Sequence, residues 1–138
     1  MKNNFTIEEL NNLNKNTLME SLGIEYLDAG EGYVNARMPV DKKTLQPMGI
    51  LHGGASLAFA ETIGSLGSSL LINLDKYDVR GTSLTANHVK SVSKGYVYGF
   101  AKIIHRGKYT HVWNIDVKNE NDNLISSSRL TIMIIEKK

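Results

Sequence analysis

The chain contains no cysteine, which removes disulfides, thiolate nucleophiles and cysteine-ligated zinc together and fits a reducing, cytoplasmic setting. Proline is almost missing as well, with only Pro39 and Pro47, and these bracket a single loop. No apolar core follows Met1-Lys2-Asn3-Asn4-Phe5, so a secretory leader is not expected. The longest weakly polar run, residues 53–74, holds Glu61, Asn73 and many serines and glycines, which suits a buried helix better than a membrane span. Charge of one sign is not in surplus: 16 basic and 14 acidic residues leave +2. No lysine or arginine run carries interleaved aromatics, so neither nucleic acid nor a membrane is expected as a partner. There is no HExxH, HxH or carboxylate–histidine cluster, so no metal site is expected. The Gly-x-Ser-x-Gly elbow of a Ser-His-Asp triad is absent too.

What is present reads as one α+β domain over residues 1–138, without repeats, linkers or low-complexity tracts. Thr6-Ile7-Glu8-Glu9 has capping-box spacing and predicts a short helix over about 6–20, with Leu10, Leu13 and Leu18 as its apolar stripe. Gly23 breaks that pattern, and residues 24–27 begin an extended segment. Val34, Ala36 and Met38 alternate with polar neighbours, as in a half-buried strand. A long helix is predicted from Gly53 to the low seventies. Strands are predicted over 82–92, 96–104, 112–117 and 124–135, joined by short polar turns as an antiparallel meander. One long helix on an antiparallel sheet of five or six strands follows.

Glu61 is the only charged residue in the 53–74 run, and a carboxylate among small apolar neighbours is costly unless paired or used. The His52-Gly53-Gly54 helix start offers unsatisfied N–H groups at an electropositive end, an oxyanion donor for acyl chemistry, although the same glycines would serve a packing turn. Eight residues separate Gly53 from Glu61, roughly 12 Å along a helix axis, too far for one carbonyl carbon to touch both. Either the carboxylate serves another purpose, or two copies of the chain related by a two-fold axis bring one helix start to the other's Glu61, the arrangement preferred here, with two equivalent sites per pair. Ser65 and Ser68, at i+4 and i+7 from Glu61, are placed on its helical face. Gln46 and His52 flank the entry to the helix and could bond an acyl oxygen or the attacking water. Tyr77, Tyr109, Phe59 and Met48 are candidate pocket walls, though each residue type also serves as packing.

Gln46-Pro47-x-Gly49-x-Leu51-His52-Gly53-Gly54-Ala55-Ser56, with Glu61 beyond, resembles the hotdog-fold acyl-CoA thioesterases. The likeness runs on through Thr85-Ala86-Asn87-His88-Val89-Lys90-Ser91, His105-x-Gly107, Val112-Trp113 and Ser127-Ser128-Arg129-Leu130-Thr131. The branch it is similar to is the aryl-CoA group that includes the 1,4-dihydroxy-2-naphthoyl-CoA thioesterases of menaquinone synthesis. The resemblance implies a homodimer with its site at the interface, paired again into a tetramer. It implies an acyl-CoA substrate, with coenzyme A arriving as part of that substrate and no other cofactor. Glu61 would be nucleophile or general base, the Gly53 amide would polarise the thioester carbonyl, and His52, Gln46 and Ser65 would assist. Gly81, the segment His88, Val89, Lys90 and Ser91, and the turn His105, Arg106, Gly107, Lys108, Tyr109 and Thr110 match coenzyme A contacts. Two departures stand out: the loop over 73–78 looks about one residue long, and the 105–110 turn carries extra positive charge and an aromatic. The rival expectations are a non-catalytic acyl-CoA-binding protein of the same fold and a hotdog dehydratase.

Overall fold

The computed structural model describes residues 4–138, so residues 1–3, part of the stretch read for a leader, lie outside the described residues. Thr6 caps α1 (Ile7–Asn12): its hydroxyl accepts the Glu9 N–H at 3.1 Å and donates to the Glu9 carboxylate, as the spacing predicts. The helix does not continue to residue 20. Asn16 turns left-handed at φ 62°, which asparagine tolerates, and α2 (Leu18–Leu22) starts afresh. Of the expected stripe only Leu10 is buried; Leu13 and Leu18 stay exposed.

β1 (Glu25–Gly30) and β2 (Tyr33–Pro39) form a hairpin. Two asparagines tie α1 to β1. Asn11 donates to Tyr26 C=O at 3.0 Å and accepts its N–H at 2.7 Å, as a neighbouring strand would. The buried Asn14 accepts from the Tyr26 hydroxyl at 3.2 Å and donates to Ile24 C=O at 3.3 Å. The long helix α3 (Gly53–Ser69) follows, then β3 (Tyr77–His88), β4 (Tyr96–Arg106), β5 (Thr110–Lys118) and β6 (Leu124–Glu136).

The strands pair antiparallel in the order β1-β2-β4-β5-β6-β3. β4, β5 and β6 make the expected meander, but β3 does not join it. It pairs with β6 at the far edge, from Tyr77 opposite Glu136 to His88 opposite Ser126. The strand read to 92 stops at His88, and residues 89–95 carry the chain across the sheet. Seven extended residues reach about 23 Å, ample for the roughly 14 Å of three inter-strand steps.

α3 packs across one face of this sheet. Phe59 and Ile63 enter a core with Val34, Met38, Val97, Trp113, Ile115, Leu130 and Ile132, all fully buried. Two of the helix's glycines are packing residues: a Cβ on Gly64 would lie 2.6 Å from Leu130, and one on Gly67 would enter the Trp113 indole. This α+β architecture of one long helix held in an antiparallel sheet is the one the resemblance implies. Among the described residues no helix is long and apolar enough to cross a membrane.

Candidate active site

The start of α3 disposes of its first-turn donors unequally. His52 is the N-cap, and its Nδ1 accepts the Gly54 N–H at 2.8 Å. Ala55 and Ser56 donate to His52 C=O at 3.0 and 3.2 Å. The Gly53 N–H has no acceptor among the described residues and stands at the positive end of the helix dipole. Because His52 spends Nδ1 as an acceptor, its neutral ring carries the proton on Nε2.

Gly53 opens into a hollow of about 390 Å³ that Gln46, Ser56, His88, Lys90 and Ser91 also line. Val89 belongs to the same wall. The His88 ring stands directly against the helix start: a Cβ on Gly53 would lie 3.2 Å from its Nε2. The structure thus gathers Gln46, Gly53 and the 88–91 segment, which the sequence assigned to two different tasks. His52 does not join them. Its ring lines a separate depression with Leu22, Lys43 and Leu45, so within one chain its visible work is capping.

Glu61 lines a second hollow, of about 490 Å³. The carboxylate is exposed rather than buried, because it points between α2 and β3, away from the core. Ser65 shares this hollow, as its i+4 position predicts. Gly81 stands against the carboxylate itself, where an added Cβ would lie 3.0 Å from Glu61 Oε2. Its neighbour is therefore the candidate catalytic group, not the 88–91 segment. The remaining wall comes from Leu13, Leu18, Met19, Tyr26 and Leu66. Sequence reasoning missed these, although the failure of Leu13 and Leu18 to reach the core leaves them free for this use. None of the four expected wall residues lines either hollow. Phe59 packs against Gly99 in the core, Tyr77 is half-buried elsewhere, and Met48 and Tyr109 are exposed.

The turn from His105 to Thr110 joins β4 to β5, closed by Gly107 N–H to Thr110 C=O at 2.8 Å. Arg106 is engaged within the chain, to Glu31 at 3.3 Å and to Leu71 C=O at 3.2 Å. Lys108 lies over the Tyr109 ring at 5.3 Å.

Ser68 does not share the face of Glu61 in any useful sense. Seven residues carry it roughly 10 Å along the axis, to where β5 covers the helix. There its hydroxyl accepts Trp113 Nε1–H at 2.8 Å and pairs with His111 Nδ1 at 2.8 Å, all three residues buried. Burial pushes the His111 imidazole below its usual 6.5, and Arg106 and His105 push it the same way. The unfolded chain then takes up this proton first as pH falls. Stability is intact above the unfolded value, declines below it, and levels off once the folded imidazole is protonated too. The wild type should lose more melting temperature than His111→Gln between about pH 7.5 and about pH 5.5. Equal losses, followed by calorimetry, would count against this account of His111.

The family model described as Thioesterase superfamily matches residues 48–126. The chain is 41% identical over 134 residues to the proofreading thioesterase EntH of Cronobacter turicensis, covering 97% of each. A crystal structure of a thioesterase from Haemophilus influenzae superposes with a TM-score of 0.93 at 44% identity, covering 98% of this chain and 94% of that one. A protein of Staphylococcus aureus, 44% identical with a TM-score of 0.86, covers 87% of this chain and is itself covered to 99%. It has been solved with a glutamate changed to alanine and, separately, with a glutamine changed to alanine.

Proposed function

Because the chain belongs to the thioesterase superfamily and has its hotdog fold, we propose that it hydrolyses acyl-CoA thioesters at a site shared by two protomers. Each site takes Glu61 and Ser65 from one protomer and the Gly53 amide and Gln46 from its mate. The observation that carries this reading is the unpartnered Gly53 N–H, which opens beside Gln46 into one hollow while Glu61 lines another. A single chain keeps the two halves of the chemistry apart. Gly81 supplies the route by which a second chain joins them: it places the Glu61 carboxylate beside β3, a strand whose outer edge is unpaired. A copy docking on that edge lies next to the carboxylate. The further pairing of dimers into a tetramer is proposed on family likeness alone.

The chemistry is economical. Either Glu61 draws a proton from water, which adds to the thioester carbonyl carbon, or Glu61 itself adds to that carbon, expels the thiolate to leave a mixed anhydride, and is released when water hydrolyses the anhydride. The carbonyl oxygen gains negative charge and is met by the Gly53 N–H and the Gln46 amide. The carbon–sulfur bond breaks, coenzyme A leaves as a thiolate and takes up a proton, and the acyl group leaves as the free acid. Ser65 holds the carboxylate or its water. These steps need neither a metal nor a redox group. The glutamate and glutamine replaced in the Staphylococcus protein stand as far apart in sequence as Gln46 and Glu61 do here, which supports assigning these two residues together.

Coenzyme A is proposed to run along His88, Val89, Lys90 and Ser91, with the 105–110 turn taking its phosphates, Lys108 more readily than the engaged Arg106. The acyl group is proposed to lie against Leu13, Leu18, Met19 and Leu66, an apolar wall with the Tyr26 hydroxyl in it. Such a wall suits an aryl group, 1,4-dihydroxy-2-naphthoyl among them. The cysteine-free composition suits a cytoplasmic enzyme. A panel of aryl and medium-chain aliphatic acyl-CoAs, read by release of free thiol, tests all of this. Turnover is expected, fastest with aryl groups. Saturable binding with no thiol released would replace the enzyme with a binding protein.

A further inference from the structure

Gln46 opens a tight turn. Its C=O accepts the Gly49 N–H at 2.9 Å, and its own N–H donates to Ile50 C=O at 2.9 Å. A β-bridge between Leu45 and Leu51 closes the loop below. Within the turn, the Gln46 side-chain oxygen accepts the Met48 backbone N–H. A backbone N–H can only donate, so the amide has no choice of orientation. Oε1 must face Met48, and the two hydrogens of Nε2 must face elsewhere. Gln46 lines the same hollow as the free Gly53 N–H.

Gly49 holds this turn at φ 79°. A Cβ added there would meet nothing within 4 Å, so the position does not need glycine for room. It needs glycine for the left-handed backbone, which other L-residues enter at a cost and asparagine enters more readily.

We propose that Gly49 is a positioning residue: its left-handed turn sets the Met48 N–H on Gln46 Oε1 and so aims Gln46 Nε2–H at the substrate carbonyl oxygen. The inference rests on Gln46 being a donor to that oxygen, as the proposed function has it. Without the turn, the amide is free to rotate and present its own oxygen to a developing oxyanion, where it repels.

Four variants of the full chain decide the matter: Gln46→Ala, Gly49→Ala, Gly49→Asn and the double variant Gln46→Ala/Gly49→Ala, each read by kcat and KM. Gln46→Ala should lower kcat by about 10²-fold, the effect of removing one oxyanion donor. Gly49→Ala should lower kcat roughly tenfold with KM within about twofold, since an interaction realised in the transition state is misaimed. Gly49→Asn should keep kcat within about threefold of wild type, because asparagine accepts the left-handed turn. In the Gln46→Ala background, Gly49→Ala should cost nothing further, as expected of residues acting through one group. A loss in Gln46→Ala with none in Gly49→Ala overturns the inference alone. So does a tenfold loss from Gly49→Ala that persists in the double variant, which would mark a merely structural turn. Wild-type kcat in Gln46→Ala overturns the donor reading and this inference with it.

Discussion

Glu61→Gln is expected to cut thiol release from an acyl-CoA by about 10³-fold while leaving KM and thermal stability near wild type. The size follows from what an amide cannot do. It neither accepts a proton from water at neutral pH nor attacks a carbonyl, so both mechanisms open to Glu61 close together. The specificity of the test follows from the surroundings. Glu61 is exposed in the chain and lines a hollow rather than the core, so the substitution leaves the packing of Phe59, Ile63 and Trp113 alone. Glutamine is nearly isosteric and fits the space that Gly81 leaves open. A surface change of this kind moves stability by about 0.5 kcal/mol or less. Steady-state kinetics with thiol detection, paired with a melting curve, reads both quantities. Turnover within tenfold of wild type would remove Glu61 from the chemistry.

Much of the fold was legible because local signals and the final structure agree. The Thr6 capping box, the Val34, Ala36 and Met38 alternation, the His52 helix start and the β4 to β6 meander each rest on neighbours in sequence. Where the reading failed, the deciding contact is distant. β3 reads as another member of the meander because a strand's pattern reports which face is buried, not which strand it pairs with. Its partner β6 is set by the path of α3, which packs across the sheet from β2 and delivers the chain to the far edge. Ser68 illustrates the same limit on a helix. Angular position puts it beside Glu61, but the cover supplied by His111 and Trp113 at that level of the axis decides its neighbours. The candidate site's polar groups stand out in the sequence, whereas the residues that line the hollows beside them do not. Glu61, Ser65, Gly53 and Gln46 announce themselves by chemistry and spacing. Leu13 and Leu18 look like core residues of one helix until the structure shows that helix ending at Asn12, the chain turning left-handed at Asn16, and both leucines lining the hollow of Glu61. Gly81 gives no sequence signal for its position at all, since only the β3–α3 contact places it against the carboxylate.

Mixing two nearly inactive variants should recover about a quarter of wild-type activity, because after random exchange half of the dimers are mixed and each mixed dimer has one intact site. The variants are Glu61→Gln and Gln46→Ala. In a mixed dimer one site receives both substitutions and the other receives neither. That second site combines the Glu61 of the Gln46→Ala chain with the Gln46 of the Glu61→Gln chain, and it is wild type in every group the chemistry uses. Further assembly into tetramers leaves the count per site unchanged. A site built within one chain gives a different result, since every chain in the mixture then carries a defect and the mixture shows only the mean of the two residual rates. The gap between the outcomes is more than tenfold, because Gln46→Ala alone retains about one part in 10². Co-expression of differently tagged chains and tandem purification isolates the mixed species, for which about half of wild-type activity is expected if they are dimers and roughly three-tenths if they are tetramers. Isolated mixed oligomers no more active than their parents would show that the Glu61 of one protomer does not act with the Gln46 of its mate, and the shared site would fall.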